Sequence, residues 1–166
     1  MTTNKKNIFK GLVLLVSGLL IGIGIGYTKI APFLKWHTMS STGNEMVGYA
    51  EIQYYKATYP SALKAQKEYL SYLVAVEKKK PEWSSWSVPW MTEQILNYEK
   101  AITFARIALL EGRAGKHAEA ERSWVIAEIA AAAAGWKNPG REHILKIVNA
   151  KESEFRKIEE NAQPGR

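Results

Sequence analysis

The sequence predicts an all-α protein with one hydrophobic N-terminal helix and a stack of about five antiparallel helices behind it. Three observations carry that prediction. An uncharged apolar run over residues 11–28 has the length of a membrane span. From residue 42 onward, apolar residues recur at steps of three and four between Gly, Pro and Asn breakers, which is the helical period. No stretch alternates apolar and polar residues in the strand period of two.

The 166 residues leave room for one domain and an anchor. The net charge of +7 is unevenly placed. Lys5, Lys6, Lys10, Lys29 and Lys35 flank the apolar run and no acid precedes Glu45, so the remainder is nearly balanced against its 16 glutamates. Lysines beside an apolar segment serve headgroups and topology, so the basic pI predicts no nucleic-acid partner. There is no cysteine, which excludes disulfides, thiolate metal sites and a cysteine nucleophile. There is no aspartate either, which removes the usual carboxylates of Mg²⁺ and Ca²⁺ sites.

Residues 1–10 read as a cytoplasmic tail and 11–30 as a single transmembrane anchor. With Ile8 and Phe9 added and Lys10 snorkelling, the run spans about 31 Å, against roughly 30 Å of hydrocarbon. Phe9 on one side, and Tyr27, Phe33 and Trp36 on the other, suit the two interfaces, and Pro32 ends or kinks the helix. A cleaved signal peptide is the rival reading. The core is long for that role, and the nearest cleavage site, Lys29-Ile30-Ala31, runs into Pro32. The lysine bias places the N-terminus inside, so the expectation is a bacterial inner-membrane protein with a periplasmic C-terminal domain. Gly18, Gly22 and Gly26 form two overlapping GxxxG frames on one face. That spacing suits close helix packing and a homo-oligomer through the span, although glycine is also simply common in membrane helices.

Residues 31–41 read as a linker, 42–160 as the helical domain and 161–166 as a flexible tail. Thr42 and Glu45 form a capping box that opens a first helix to about Thr58. A second helix runs from about Pro60 to Lys79 with Leu63, Gln66, Leu70 and Leu73 on one stripe, and Pro81 ends it. Ser87 caps a third helix, with Pro89 in its first turn and Met91, Ile95, Tyr98, Ile102, Ala105 and Leu109 on its stripe. A fourth helix, about Ala118 to Ala134, carries Ala120, Trp124, Ala127 and Ala131, with Gly135 at its C′ position. Asn138-Pro139 opens a fifth, with Ile144, Val148, Phe155 and Ile158.

Phe104 to Ala131 resembles a tetratricopeptide repeat. Phe104 stands in the early aromatic position, Ile107-Ala108 is similar to the family's Leu-Gly pair, and Gly115-Lys116-His117-Ala118-Glu119-Ala120 resembles its turn and second-helix opening. Trp124 and Ala127 fill the next aromatic and small slots, whereas Glu111 and Ala132 replace the expected tyrosine and proline. The resemblance covers about 30 residues. It implies a short TPR-like stack whose repeat core is Phe104, Ile107, Ala108, Ala120, Trp124 and Ala127, and a non-enzymatic, membrane-anchored module for assembly or scaffolding.

The chemistry-bearing residues are sparse. His37, His117 and His143 lie far apart with no HExxH motif, so neither a metal nor another cofactor is expected. Ser84, Ser85 and Ser87 lack a nucleophile-elbow context. The stretch from Lys78 to Met91 is the most distinctive, with Lys78, Lys79 and Lys80 followed by Trp83, Trp86 and Trp90. Tryptophan is enriched at binding hot spots, so this stretch suits a protein-docking loop. It also suits a loop resting on headgroups, or rings folded back over the open end of the stack. The function expected is therefore an envelope scaffold that recruits a protein partner. The alternative is an accessory subunit held in a larger membrane complex by its glycine-faced helix.

Overall fold

The computed structural model describes residues 3–26, 28, 31–83 and 92–162. Among the described residues every regular element is a helix: α1 (Thr3–Ile25), α2 (Ala31–Lys56), α3 (Tyr59–Trp83), α4 (Glu93–Arg113), α5 (His117–Ala133) and α6 (Arg141–Ala162). They fall into two compact units, Met1–Thr42 and Gly43–Arg166.

In the first unit the expected anchor is overturned. Among the described residues, no helix is long and apolar enough to cross a membrane. α1 begins at Thr3, so its opening turns carry Lys5, Lys6 and Lys10, and its α-helical geometry stops at Ile25. The uncharged part, from Gly11 to Ile25, rises about 22 Å, short of roughly 30 Å of hydrocarbon. Beyond it the backbone widens into π-type turns at Gly26 and Thr28. There the Thr28 hydroxyl donates to the Gly24 carbonyl at 2.6 Å, competing with the regular ladder. The single-pass, signal-anchor and inner-membrane expectations, with the periplasmic placement drawn from them, fall together. Tyr27, expected at an interface, lies outside the described residues.

The capping box does not start a helix. Thr42 and Glu45 lie inside α2, which is already helical from Ala31 through the stretch expected as a linker. Local capping chemistry marks a start only where the preceding residues leave helical geometry, and these do not. Pro81 likewise fails to end α3, which runs on to Trp83. Ser87 and Pro89 lie outside the described residues, and the N-cap of α4 is Thr92, whose hydroxyl accepts from the Ile95 amide at 3.2 Å. Gly135 takes a left-handed φ of 80° after α5, as its C′ position demands, and Gly115 turns α4 into α5 at φ 74°. α6 starts at Arg141, where the Glu128 carboxylate of α5 accepts from the Arg141 amide at 3.0 Å.

In the second unit α4 is the hub. It packs against α3, α5 and α6, and α5 packs against α6. The main core gathers Ala101, Ile102, Ala105 and Ala108 of α4, Trp124, Ala127, Ala130 and Ala131 of α5, and Ile144 and Val148 of α6. A smaller cluster joins Tyr54 of α2, Ala62 of α3 and Leu110 of α4. The neighbouring helices are thus packed side by side, compatible with a helical-hairpin fold. The alanine runs make the α4–α5 pair close, because a methyl group sets little distance between two backbones.

Candidate functional site

The glycines singled out by sequence lie at the C-terminal half of α1 and just past it. A methyl group added at Gly18, Gly22 or Gly26 would meet nothing within 4 Å, so this face is open. Around it Leu14, Leu15, Leu19, Leu20, Ile21, Ile23 and Ile25 are each more than half exposed. Single exposed leucines are ordinary on a protein surface, whereas here exposed apolar side chains lie all round the helix.

Of the lysine–tryptophan stretch, Lys78 and Lys79 lie exposed near the end of α3. Trp86 and Trp90 lie outside the described residues, as do the side chains of Lys80 and Trp83. The repeat-core residues meet in the α4–α5 hairpin. Trp124 and Ala127 are buried in the main core with Phe104 half-buried against it, and Ile107, Ala108 and Ala120 are buried as well. Across the hairpin the Ser123 hydroxyl donates to the Glu111 carboxylate at 2.8 Å, with both residues buried. Glu111 is the position where the repeat pattern expects tyrosine, and here it holds its own helix pair together through a charge-assisted bond.

The most concentrated polar chemistry was not anticipated from sequence. Arg106 of α4 is only 2% exposed. Its Nη2 donates to the Glu51 carboxylate of α2 at 2.9 Å and to the Tyr55 hydroxyl at 3.1 Å. Its guanidinium also lies 5.3 Å from the Tyr54 ring centre and 5.6 Å from that of Tyr55. Burial alone would lower the Arg106 pKa, but the Tyr55 hydroxyl and the Glu51 carboxylate reverse that and raise it, so the group stays a cation. Next to this contact, Gln66 of α3 donates to the Ala50 carbonyl of α2 at 2.7 Å, leaving its own Oε1 without a partner among the described residues. Arg106 Nε and the Tyr54 hydroxyl are likewise buried and unpartnered there.

A second pair lies on the same face of α4, two turns earlier. Tyr69 of α3 donates to the Glu99 carboxylate at 3.2 Å, and Thr103 donates to the Glu99 carbonyl at 2.8 Å. Burial pushes the Glu99 carboxyl above its ordinary value; Lys151, the Tyr69 hydroxyl and Arg106 only partly oppose it. Burial and the neighbouring Glu99 charge push the Tyr69 phenol up in turn. Among the described residues no group of three or more His or Glu could hold a metal ion. The arrangement binds helices to one another.

Arg106 carried one signal in the sequence, a cation inside an Ala/Ile/Leu-rich helix. Its acid, Glu51, stands 55 residues away, at a separation that no local spacing rule reaches. The Trp136 cluster was missed for a similar reason. Trp136 follows the Gly135 turn and meets Tyr98 at 5.5 Å and His143 at 5.6 Å between ring centres, contacts from three separate segments. No known protein family, curated protein or solved structure matches the chain. The fold and the site therefore stand on their own geometry.

Proposed function

We propose that this chain is a non-enzymatic protein-interaction module, a TPR-like helical-hairpin stack that docks an apolar helix of its partner against the glycine-striped face of α1. The observation that carries the reading is that face. Three glycines with open space above them sit among large apolar side chains that are more than half exposed. Apolar surface left in water costs roughly 25 cal/mol for each Å², and a partner helix recovers it. The glycines let that helix approach closely enough for backbone dispersion contacts to add to the gain. The hairpin stack supports the same reading, because packed helix pairs present long side-by-side surfaces.

A second reading is an accessory subunit of a larger complex, held by α1 while the stack caps its neighbour. It rests on the same face, and the partner's identity separates the two. The experiment is co-purification of the full chain with its partners, alongside its Gly22→Ile variant. Isoleucine fills the open face and forces the partner helix outward, so the complex is expected to be lost while the stack stays folded. Co-purification equal to wild type would make the glycines bystanders and shift the partner contacts to the stack. A co-purifying second copy of the chain would identify the docked helix as another α1.

A further inference from the structure

We infer that residues 43–56 of α2 form a charge-latched strap, fastened by Arg106 and able to lift away while α3 to α6 stay folded. Four observations converge on it. The side chains that α2 buries in this segment are few, with Ala50 and Tyr54 the buried apolar ones. Its remaining attachments are polar or aromatic: Glu51 and Tyr55 on Arg106, the Ala50 carbonyl on Gln66, the Lys56 ammonium paired with Glu159 of α6, and the Tyr55 ring stacked on Phe155 at 4.6 Å. Close helix packing in this unit joins α3, α4, α5 and α6. The tyrosine rings hold the α2 backbone off its neighbours, where alanines would draw it in.

The energetics differ accordingly. α3 to α6 share a cooperative core of buried apolar area, to which polar links such as Tyr69–Glu99 and Lys100–Glu77 are added. The strap is held by charges of which Glu51 is about a third exposed and Lys56 about half, so ions screen part of the attachment. Segments with few buried apolar contacts open in smaller cooperative units than the core. Lifting the strap leaves Ala62 and Leu110 at the surface and presents the Arg106 guanidinium and the Gln66 amide to solvent. The fastened state therefore keeps a cationic groove covered, and release uncovers it.

Hydrogen exchange on the full chain tests this, read by mass spectrometry on peptides from α2, α4 and α5. In the wild type, amides of residues 46–56 are expected to exchange at least about tenfold faster than those of α4 and α5. Raising the salt to about 0.5 M should widen that gap, because the latch depends on charges more than the apolar core does, although ion pairs such as Lys100–Glu77 also join the core helices. Arg106→Met keeps the bulk and removes the charge, and should speed exchange over 46–56 by a further factor of about ten with α5 unchanged. Glu51→Gln and Tyr55→Phe each weaken one partner of Arg106 and should move the same peptides by smaller factors, even if Arg106→Met does not fold. Equal exchange in α2 and α5, or loss of protection in both together in these milder variants, would overturn the strap and make α2 an ordinary member of one cooperative core.

Discussion

The two sides of α4 solve the same packing problem in opposite ways. Towards α5 it presents Ala101, Ala105 and Ala108 to the alanines and Trp124 of its hairpin partner, with the exposure of these alanines at or near zero. Towards α2 it presents Arg106, which meets Glu51, Tyr54 and Tyr55. Small apolar residues give close backbones and attachment through excluded water and dispersion. Long polar and aromatic residues give a spaced contact whose strength lies in a few directed bonds and is sensitive to its surroundings. A single helix thus carries a rigid joint on one side and a conditional one on the other.

The comparison is broken most directly at Trp124. Trp124→Ala should destabilise the second unit by about 3–5 kcal/mol, as aromatic truncations in cores do. Arg141 lies over this ring, its guanidinium 5.0 Å from the ring centre, and bonds to Glu121 at 2.7 Å, so α6 should loosen with it. Denaturant unfolding followed by tryptophan and far-ultraviolet signals measures both. A loss under about 1 kcal/mol would mean that the α4–α5 joint does not dominate the unit.

Overpacking sharpens the same side. Ala127 has no exposed surface, and Ala127→Leu should cost about 1–3 kcal/mol by forcing the close pair apart. An isobulky change at Ile158 of α6, which is exposed, should cost nothing measurable. Ser123→Ala tests the polar bond within the apolar joint. It leaves the buried Glu111 carboxylate without that donor, and a loss of about 1–2 kcal/mol is expected in thermal unfolding.

Glu99 gives the smallest effect and a sign. Its carboxyl is raised in the folded state, above the ordinary value of 4.5, chiefly by burial. The folded chain therefore binds that proton more tightly than the unfolded one, and stability contributed by this group falls as pH rises from about 4.5 through the raised value. Glu99→Gln keeps an acceptor for Tyr69 and removes the charge. It should flatten this part of the stability–pH profile and leave the chain slightly more stable at neutral pH. An unchanged profile would show that Glu99 ionises in the fold as freely as in solution.

Much of the helical layout was legible because helices announce themselves locally. The stripe Ile102, Ala105, the turn at Gly115 and the stop at Gly135 lie within a few residues of what they specify. The errors cluster where a local signal was outweighed. Thr42 and Glu45 have capping chemistry, yet the helix passes straight through them. The apolar run of α1 was measured by its uncharged length, without knowing that regular helix would end at Ile25. The glycine face was visible from its spacing alone, and the structure adds that the space above it is open.

The sequence by itself determined that the chain is helical, where most helices lie and which of their faces are small and apolar, since those properties follow from the 3.6-residue period and the chemistry of neighbouring residues. Only the tertiary structure decided that α4 stands at the centre, that Arg106 is buried against Glu51, and that Glu111 meets Ser123 across the hairpin. Those pairings join residues on different helices, between 12 and 55 positions apart. Their partners are chosen by how whole helices pack and by the cost of leaving a buried charge unpaired, and no window of sequence contains that choice.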